Sequence, residues 1–313
     1  MRNVTLSEKA TKTKFHLLKI YYGITDRINN NKKFIFKIRQ CLSIPFKLDV
    51  HAVEHCNLNC KGCSHFAPIA APKFLDPTEL GKNLSKLSKF QSSFYALQIL
   101  GGEPLLHPRL AEIMDVSRRY FDKIRITLMT NGILLLEDDK LPPSFWEACK
   151  KNDIVIRVTK YPVNLDYDEI ERKVRQKGIK FELFKDRSGV NNWTKYQLHE
   201  KDIRKRLNRF KVFKLKYCKS INCLQLGGNK IYPCHLSAYV DHLNVAYNRN
   251  FVISKKDYID INSLKNIRQL KKLLVFSIPF CKYCGSGTPR TDWQKSKMTI
   301  DEWVDTRYDK NYK

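Results

Sequence analysis

The residues in this 313-residue chain with the clearest chemical potential are Cys56-Asn57-Leu58-Asn59-Cys60-Lys61-Gly62-Cys63. Three cysteines stand at C-x3-C-x2-C spacing, directly after the alternating apolar run Leu48 to Glu54. A structural zinc ion takes four ligands in a tetrahedron, so three thiolates do not complete one. An iron–sulfur cubane has four irons, each wanting a ligand. Three clustered cysteines leave one iron open, and an open iron can bind a substrate or cofactor.

Other motifs fall at strand ends. Gly101-Gly102-Glu103-Pro104 follows a short apolar run, Tyr95 to Leu100. The glycines let backbone approach a ligand closely, and Glu103 could accept hydrogen bonds from a cationic amine. Thr130-Asn131-Gly132 closes a third run, where Asn-Gly also suits a strand-ending turn. Thr159 closes a fourth. A second cysteine-rich region holds Cys218, Cys223, Cys234, Cys281 and Cys284. Leu224 to Pro233 reads as a hairpin, and Cys281-Lys282-Tyr283-Cys284 is a C-x2-C knuckle. These cysteines could equally form a zinc ribbon.

The cysteine loop and the Gly-Gly-Glu turn resemble the radical S-adenosylmethionine (radical SAM) enzymes, from about Lys47 to Trp303. The resemblance implies that Cys56, Cys60 and Cys63 hold a [4Fe–4S] cluster whose open iron chelates S-adenosylmethionine. It implies that Gly101, Gly102 and Glu103 bind the amino group of that cofactor. Asn131 would lie near the nucleoside, and Thr159 would stand where relatives place a serine that contacts the cofactor. In that family the reduced cluster cleaves the C5′–S bond, and the resulting 5′-deoxyadenosyl radical abstracts hydrogen from a substrate. The C-terminal cysteines resemble SPASM/twitch auxiliary domains, which implies a second [4Fe–4S] cluster on Cys218, Cys234, Cys281 and Cys284, with Cys223 able to replace Cys218. Asn229 stands where those relatives have a hairpin glycine, and asparagine also tolerates positive φ. Relatives also carry an aromatic residue just before the third cysteine. Here that residue is Gly62, and His65 or Phe66 could supply the missing surface.

These motifs need a scaffold that gathers strand ends. Asp76-Pro77-Thr78-Glu79 reads as a capped helix start, followed by Leu80, Leu84 and Leu87 at helical spacing. Helices with Leu110, Ile113 and Met114, with Phe145 to Cys149, and from Asp166 to Lys177 alternate with strands ending near 130, 159 and 184. Strand–helix repeats with short connections predict a parallel sheet with right-handed crossovers and a ligand site beyond the strands' C-terminal ends. The expected fold is α/β: a partial (β/α)6 TIM-like barrel with a small C-terminal cysteine-rich α+β extension. The expected division is a basic extension over 1–46, the barrel over 47–205, and an auxiliary-cluster domain with its tail over 206–313.

Composition narrows the setting. Hydrophobic residues make up 42% of the chain, enough for a core, and no apolar run approaches a membrane span. The first residues lack a signal-peptide core, which predicts a cytoplasmic protein. Ten cysteines in a reducing compartment favour metal ligation over disulfides. The net charge of +27 is dispersed, with small clusters such as Arg204-Lys205-Arg206. Dispersed charge fits solvated faces, and it makes an anionic peptide or small-molecule substrate, such as a nucleotide sugar, plausible. A flavodoxin or ferredoxin would be the electron donor. The rival classes are a zinc-binding nucleic-acid module and a non-catalytic electron carrier. The Gly-Gly-Glu turn and the three-cysteine loop speak against the first, the long strand–helix region against the second. His55 and His235 could tune a cluster by hydrogen bonding to sulfur, and read rather as ordinary polar residues near loops; Trp293 and Trp303 read as packing the tail onto the domain.

Overall fold

A computed structural model describes residues 46–187, 189, 193–194, 197–200, 223–284 and 290–305. Residues Pro45–Lys313 form one compact unit, to which everything described belongs. The expected extension over 1–46, apart from Phe46, and the ligand Cys218 lie outside the described residues.

Five strands run parallel in the order the sequence predicts: β1 (Phe46–Val53), β2 (Phe94–Gly101), β3 (Arg125–Thr130), β4 (Ile154–Lys160) and β5 (Lys180–Asp186). The connecting helices are α1 (Pro77–Leu87), α2 (Leu110–Tyr120), α3 (Phe145–Lys151) and α4 (Tyr167–Gln176). Asp76 caps α1, its carboxylate accepting from Thr78 N and Glu79 N at 2.6 and 3.1 Å, with Pro77 at the first helical position. That satisfies donors a helix start otherwise leaves open. One face of the sheet is apolar: Leu48, Val50, Leu97, Ile99, Ile126, Leu128 and Ile156 pack on Leu80, Leu84, Ile113, Met114 and Ile170 of the helices. Alternation then turns Asp49, Gln98 and Thr127, which are register neighbours, to the opposite face, where all three are buried.

The C-terminal half does not stand apart from this sheet. After the short β6 (Trp193–Thr194), strand β7 (Cys223–Gly227) pairs in parallel with the other edge of β1. Strands β8 (Lys230–Tyr232) and β9 (Ile259–Asp260) follow antiparallel. The eight strands run β5-β4-β3-β2-β1-β7-β8-β9, and the sheet stays open, as a partial barrel requires. The predicted hairpin is therefore present, and it lies beside β1. The reason is physical. Backbone donors and acceptors on a buried edge must be paired, and Leu224 and Leu226 extend the apolar face of β1.

Helices α5 (His235–Tyr247) and α6 (Ile267–Val275) complete the described elements of this half, with a short pairing of β10 (Arg290–Thr291) onto β6. A second apolar core gathers Phe66, Leu236, Val240, Leu243, Phe280, Tyr283 and Trp303. No helix among the described residues is long and apolar enough to cross a membrane.

Candidate active site

The cysteine loop leaves the C-terminal end of β1, at the centre of the sheet. The Gly-Gly-Glu turn leaves the neighbouring β2 and docks onto it. Gly102 N–H donates to Val53 O at 2.7 Å, and Glu103 N–H donates to His55 O at 3.0 Å. A Cβ on Gly102 would lie 1.9 Å from His55 O, and one on Gly101 2.4 Å from Val53 O. The close approach the glycines allow is thus to the chain's own backbone, one residue before the first cysteine.

Glu103 is 1% exposed, and its carboxylate is engaged. Oε1 accepts from Leu105 N at 3.0 Å and from Thr130 Oγ1 at 2.7 Å, while Oε2 accepts from Asn131 N at 2.8 Å. The side chain expected to meet a cofactor amine bolts the β2 turn to the end of β3. Burial outweighs these bonds and raises its pKa to about 7. Asn131 extends the tie: its Nδ2 donates to Asn57 Oδ1 at 2.7 Å and lies 3.8 Å from Cys56 Sγ. Thr159 sits half-buried at the end of β4, paired in register with Phe184. Two residues on, the Tyr161 hydroxyl is within reach of the Cys60 sulfur.

The C-terminal segment holds the other side of the loop. Ser296 N–H donates to Asn59 O at 2.8 Å, Lys61 N–H to Gln294 O at 2.9 Å, and Trp303 Nε1–H to Cys63 O at 2.9 Å. Cys60 forms an isolated antiparallel bridge with Lys295. Trp193 Nε1–H donates to Lys61 O at 2.9 Å. Buried Glu302 accepts from Gly62 N at 3.4 Å, Ser296 Oγ at 2.7 Å and Lys297 N at 2.6 Å. Gly62 has φ 60°, a conformation that favours glycine over an aromatic side chain. Neither expected substitute fills that role. Phe66 is buried in the second core, and the His65 ring lies among His51, His235 and Tyr239. The aromatic rings near Cys60 are Tyr161, Trp193 and Trp293, with Tyr161 centred 6.2 and 5.9 Å from the two indoles.

The donor set suits an iron–sulfur cluster. Cys56 Sγ accepts from Leu58 N at 3.4 Å, and the amides of His65, Phe66 and Ala67 lie in reach of the Cys63 sulfur. N–H groups aimed at sulfur stabilise thiolate ligands. Burial, and then the Glu103 charge, push the Cys56 thiol up to about 12; burial raises Cys60 and Cys63 as well. The positive charge of bound iron is what reverses such shifts. Among the described residues, no three His, Cys, Asp or Glu side chains are gathered for a single metal ion. A cubane makes a looser demand, because each cysteine holds a different iron.

The C-terminal cysteines are placed differently. Cys234 caps α5, while Cys281 and Cys284 flank a short turn; all three pack at the margin of the second core. Cys223 opens β7 beside Lys47, at the end of β1 away from the cysteine loop.

Residues 51–186 match the family model of the radical SAM superfamily. That stretch, less than half of the chain, is similar to a radical SAM domain. Domains of that superfamily belong to enzymes, and the superfamily implies S-adenosylmethionine and a [4Fe–4S] cluster as cofactors. The match covers both the cysteine loop and the Gly-Gly-Glu turn. Among solved structures, the native anSMEcpe with bound AdoMet is 18% identical, with 44% of each chain covered and a TM-score of 0.34. Streptococcus suis SuiB bound to S-adenosylmethionine is 17% identical, covering 51% of this chain and 37% of that one, with a TM-score of 0.34. BtrN in complex with AdoMet and 2-DOIA is 17% identical, covering 81% and 97%, with a TM-score of 0.42. The chain spans less than half the length of the first two. No curated protein matches it.

The residues that sequence reasoning missed are Tyr161, Trp193 and Glu302, and it assigned Trp293 only to packing. They come from three distant segments and share no spacing. Tyr161 alone had a positional signal, since it follows a strand end on the side where the ligand site was expected.

Proposed function

We propose that this protein is a radical SAM enzyme that cleaves S-adenosylmethionine and abstracts hydrogen from a peptide or small-molecule substrate. One observation carries the reading: the C-x3-C-x2-C loop at the end of β1 is held backbone to backbone against the Gly-Gly-Glu turn at the end of β2. Cys56, Cys60 and Cys63 would hold the cluster. When bound, the cluster supplies the electron that breaks the C5′–S bond of the cofactor. The chain's own part is to fix the loop, orient the cofactor and keep water out. The backbone around Gly101 and Gly102, the side chain of Asn131 and the end of β4 at Thr159 are the surfaces for the cofactor. Glu103 acts by holding two of these surfaces together.

Cys234, Cys281 and Cys284, with Cys218 or Cys223, would hold an auxiliary cluster. The common place of Cys234, Cys281 and Cys284 at the margin of the second core supports this reading. The excess of basic residues supports an anionic substrate. A reducing cytoplasm with a flavodoxin or ferredoxin as donor suits the cysteine content.

The test is 5′-deoxyadenosine formation by the full chain, reconstituted without oxygen and given S-adenosylmethionine and dithionite. Product from the wild type, and none from the variant with Cys56→Ala, Cys60→Ala and Cys63→Ala, is the expected result. A colourless, zinc-loaded protein that makes no product and binds nucleic acid in a salt-sensitive way would overturn the reading. An iron-loaded protein that exchanges electrons but never cleaves the cofactor would indicate an electron carrier instead.

A further inference from the structure

Trp293 lies two residues before Lys295, which bridges Cys60, and one before Gln294, whose carbonyl accepts from Lys61 N. The strap that carries the indole therefore runs alongside the loop. Trp293 Nε1 is buried, and no acceptor is closed on it. The Cys60 sulfur is the group in its reach, with the Tyr161 hydroxyl approaching the same sulfur. The Tyr161 and Trp293 rings pack together, centroids 5.9 Å apart, so each limits the other's rotation. The other two sulfurs differ. Cys63 has backbone amides of its own loop around it, and Cys56 has Leu58 N and the Asn131 amide. Among the described residues, Cys60 is the one of the three that faces aromatic donors carried from two remote segments.

A buried N–H with nothing to bond is costly, so its persistence beside a sulfur calls for an explanation. A thiolate sulfur on iron is a far better acceptor than a protonated thiol. We infer that Trp293 sets the reduction potential of the cluster held by Cys60, through its indole N–H aimed at that sulfur. Adding an electron puts negative charge onto iron and sulfur. A donor dipole pointing at the sulfur stabilises the reduced form more than the oxidised form and raises the potential. Trp293 is thus a positioning residue that acts through Cys60, and the C-terminal strap belongs functionally to the first cluster. This inference rests on the reading that Cys56, Cys60 and Cys63 hold a cluster.

The experiment is an EPR-monitored redox titration of the full chain, reconstituted without oxygen and without S-adenosylmethionine. Trp293→Phe keeps a ring and removes the donor. The expected result is wild-type iron content with a reduced-to-oxidised ratio lowered three- to tenfold at a given potential; tenfold is about 59 mV for one electron. Trp293→His retains a ring N–H and should recover part of the shift. Trp303→Phe removes a strap bond to a carbonyl and no sulfur donor, so its potential should equal the wild type's. An unchanged potential in Trp293→Phe would overturn the inference, as would an equal shift in Trp303→Phe. Should Trp293→Phe fail to hold iron, Trp293→His decides: a retained cluster supports the donor role, a lost one rejects it. A wild type that holds no cluster at all overturns the proposed function, and this inference with it.

Discussion

The loop of Cys56 to Cys63 is bonded to segments hundreds of residues away, whereas Cys234, Cys281 and Cys284 sit where an apolar core meets a helix cap and a short turn. In the first region, backbone groups of Asn59, Lys61, Gly62 and Cys63 all have partners outside the loop. In the second, apolar neighbours such as Phe280 and Tyr283 pack around the cysteines, and one remote segment pairs with the turn, Leu198 bridging Cys284 and His199 N–H donating to Tyr283 O at 2.8 Å. The difference bears on what each region can do. A cluster with one open corner must keep its three sulfurs fixed while a cofactor comes and goes, which demands a loop fastened from outside. A cluster closed by four cysteines fastens itself, because the metal supplies the cross-links.

The sharpest way to break this comparison is cysteine removal. Replacing Cys56, Cys60 and Cys63 by alanine should reduce 5′-deoxyadenosine formation to the uncatalysed background. Replacing Cys281 and Cys284 should lower iron content by about one cluster's worth, four irons, with cofactor cleavage retained. Equal loss of cleavage in both variants would mean that the two regions are not separable.

Next in size is Gly102→Ala. Its new methyl group meets a backbone carbonyl, which cannot swing aside as a side chain would. The turn must move by about an ångström, and a displacement of that order can lower a rate about 100-fold. Single-turnover cleavage, compared with iron content, should show a loaded cluster that works slowly.

Glu103→Gln is smaller. The amide keeps one acceptor oxygen against three donors, so stability should fall by about 1–3 kcal/mol. The pH dependence is informative. Unfolded, this carboxyl ionises near 4.5; buried in the fold, near 7. Between those values the folded chain binds more protons than the unfolded one, so stability falls as pH rises from about 4.5 to 7. Denaturant titrations of the metal-free protein should show that decline in the wild type and a flatter profile in Glu103→Gln. The smallest effect belongs far from either cysteine region. Asp166 caps α4 by accepting from Glu169 N at 2.9 Å, and Asp166→Ala should cost about 1 kcal/mol with cleavage unchanged.

The strands were legible because each carries a run of apolar or alternating residues with a turn signal behind it: Gly101-Gly102 after β2, Asn131-Gly132 after β3. The cap at Asp76 was legible from four consecutive residues. The first cysteine loop was legible because its ligands lie within eight positions. What could not be read was long-range pairing. That β7 lies against β1 depends on which edge is left open, a property of the assembled sheet. The strap was hidden for a related reason, since backbone bonds such as Ser296 N–H to Asn59 O are indifferent to side-chain identity. The tie that Glu103 makes to the end of β3 was hidden because a carboxylate after two glycines says nothing of which way it turns.

The pairing of β7 with β1 also sets an order of events during synthesis. The segment through β5 emerges from the ribosome first, with the far edge of β1 unpaired until Cys223–Gly227 arrives. At about 5–20 residues per second this leaves an apolar, central strand open for a few seconds. An edge of that kind is a template for pairing with another chain. Nascent or truncated forms that stop short of β7 should therefore be the ones most prone to self-association and most in need of chaperones.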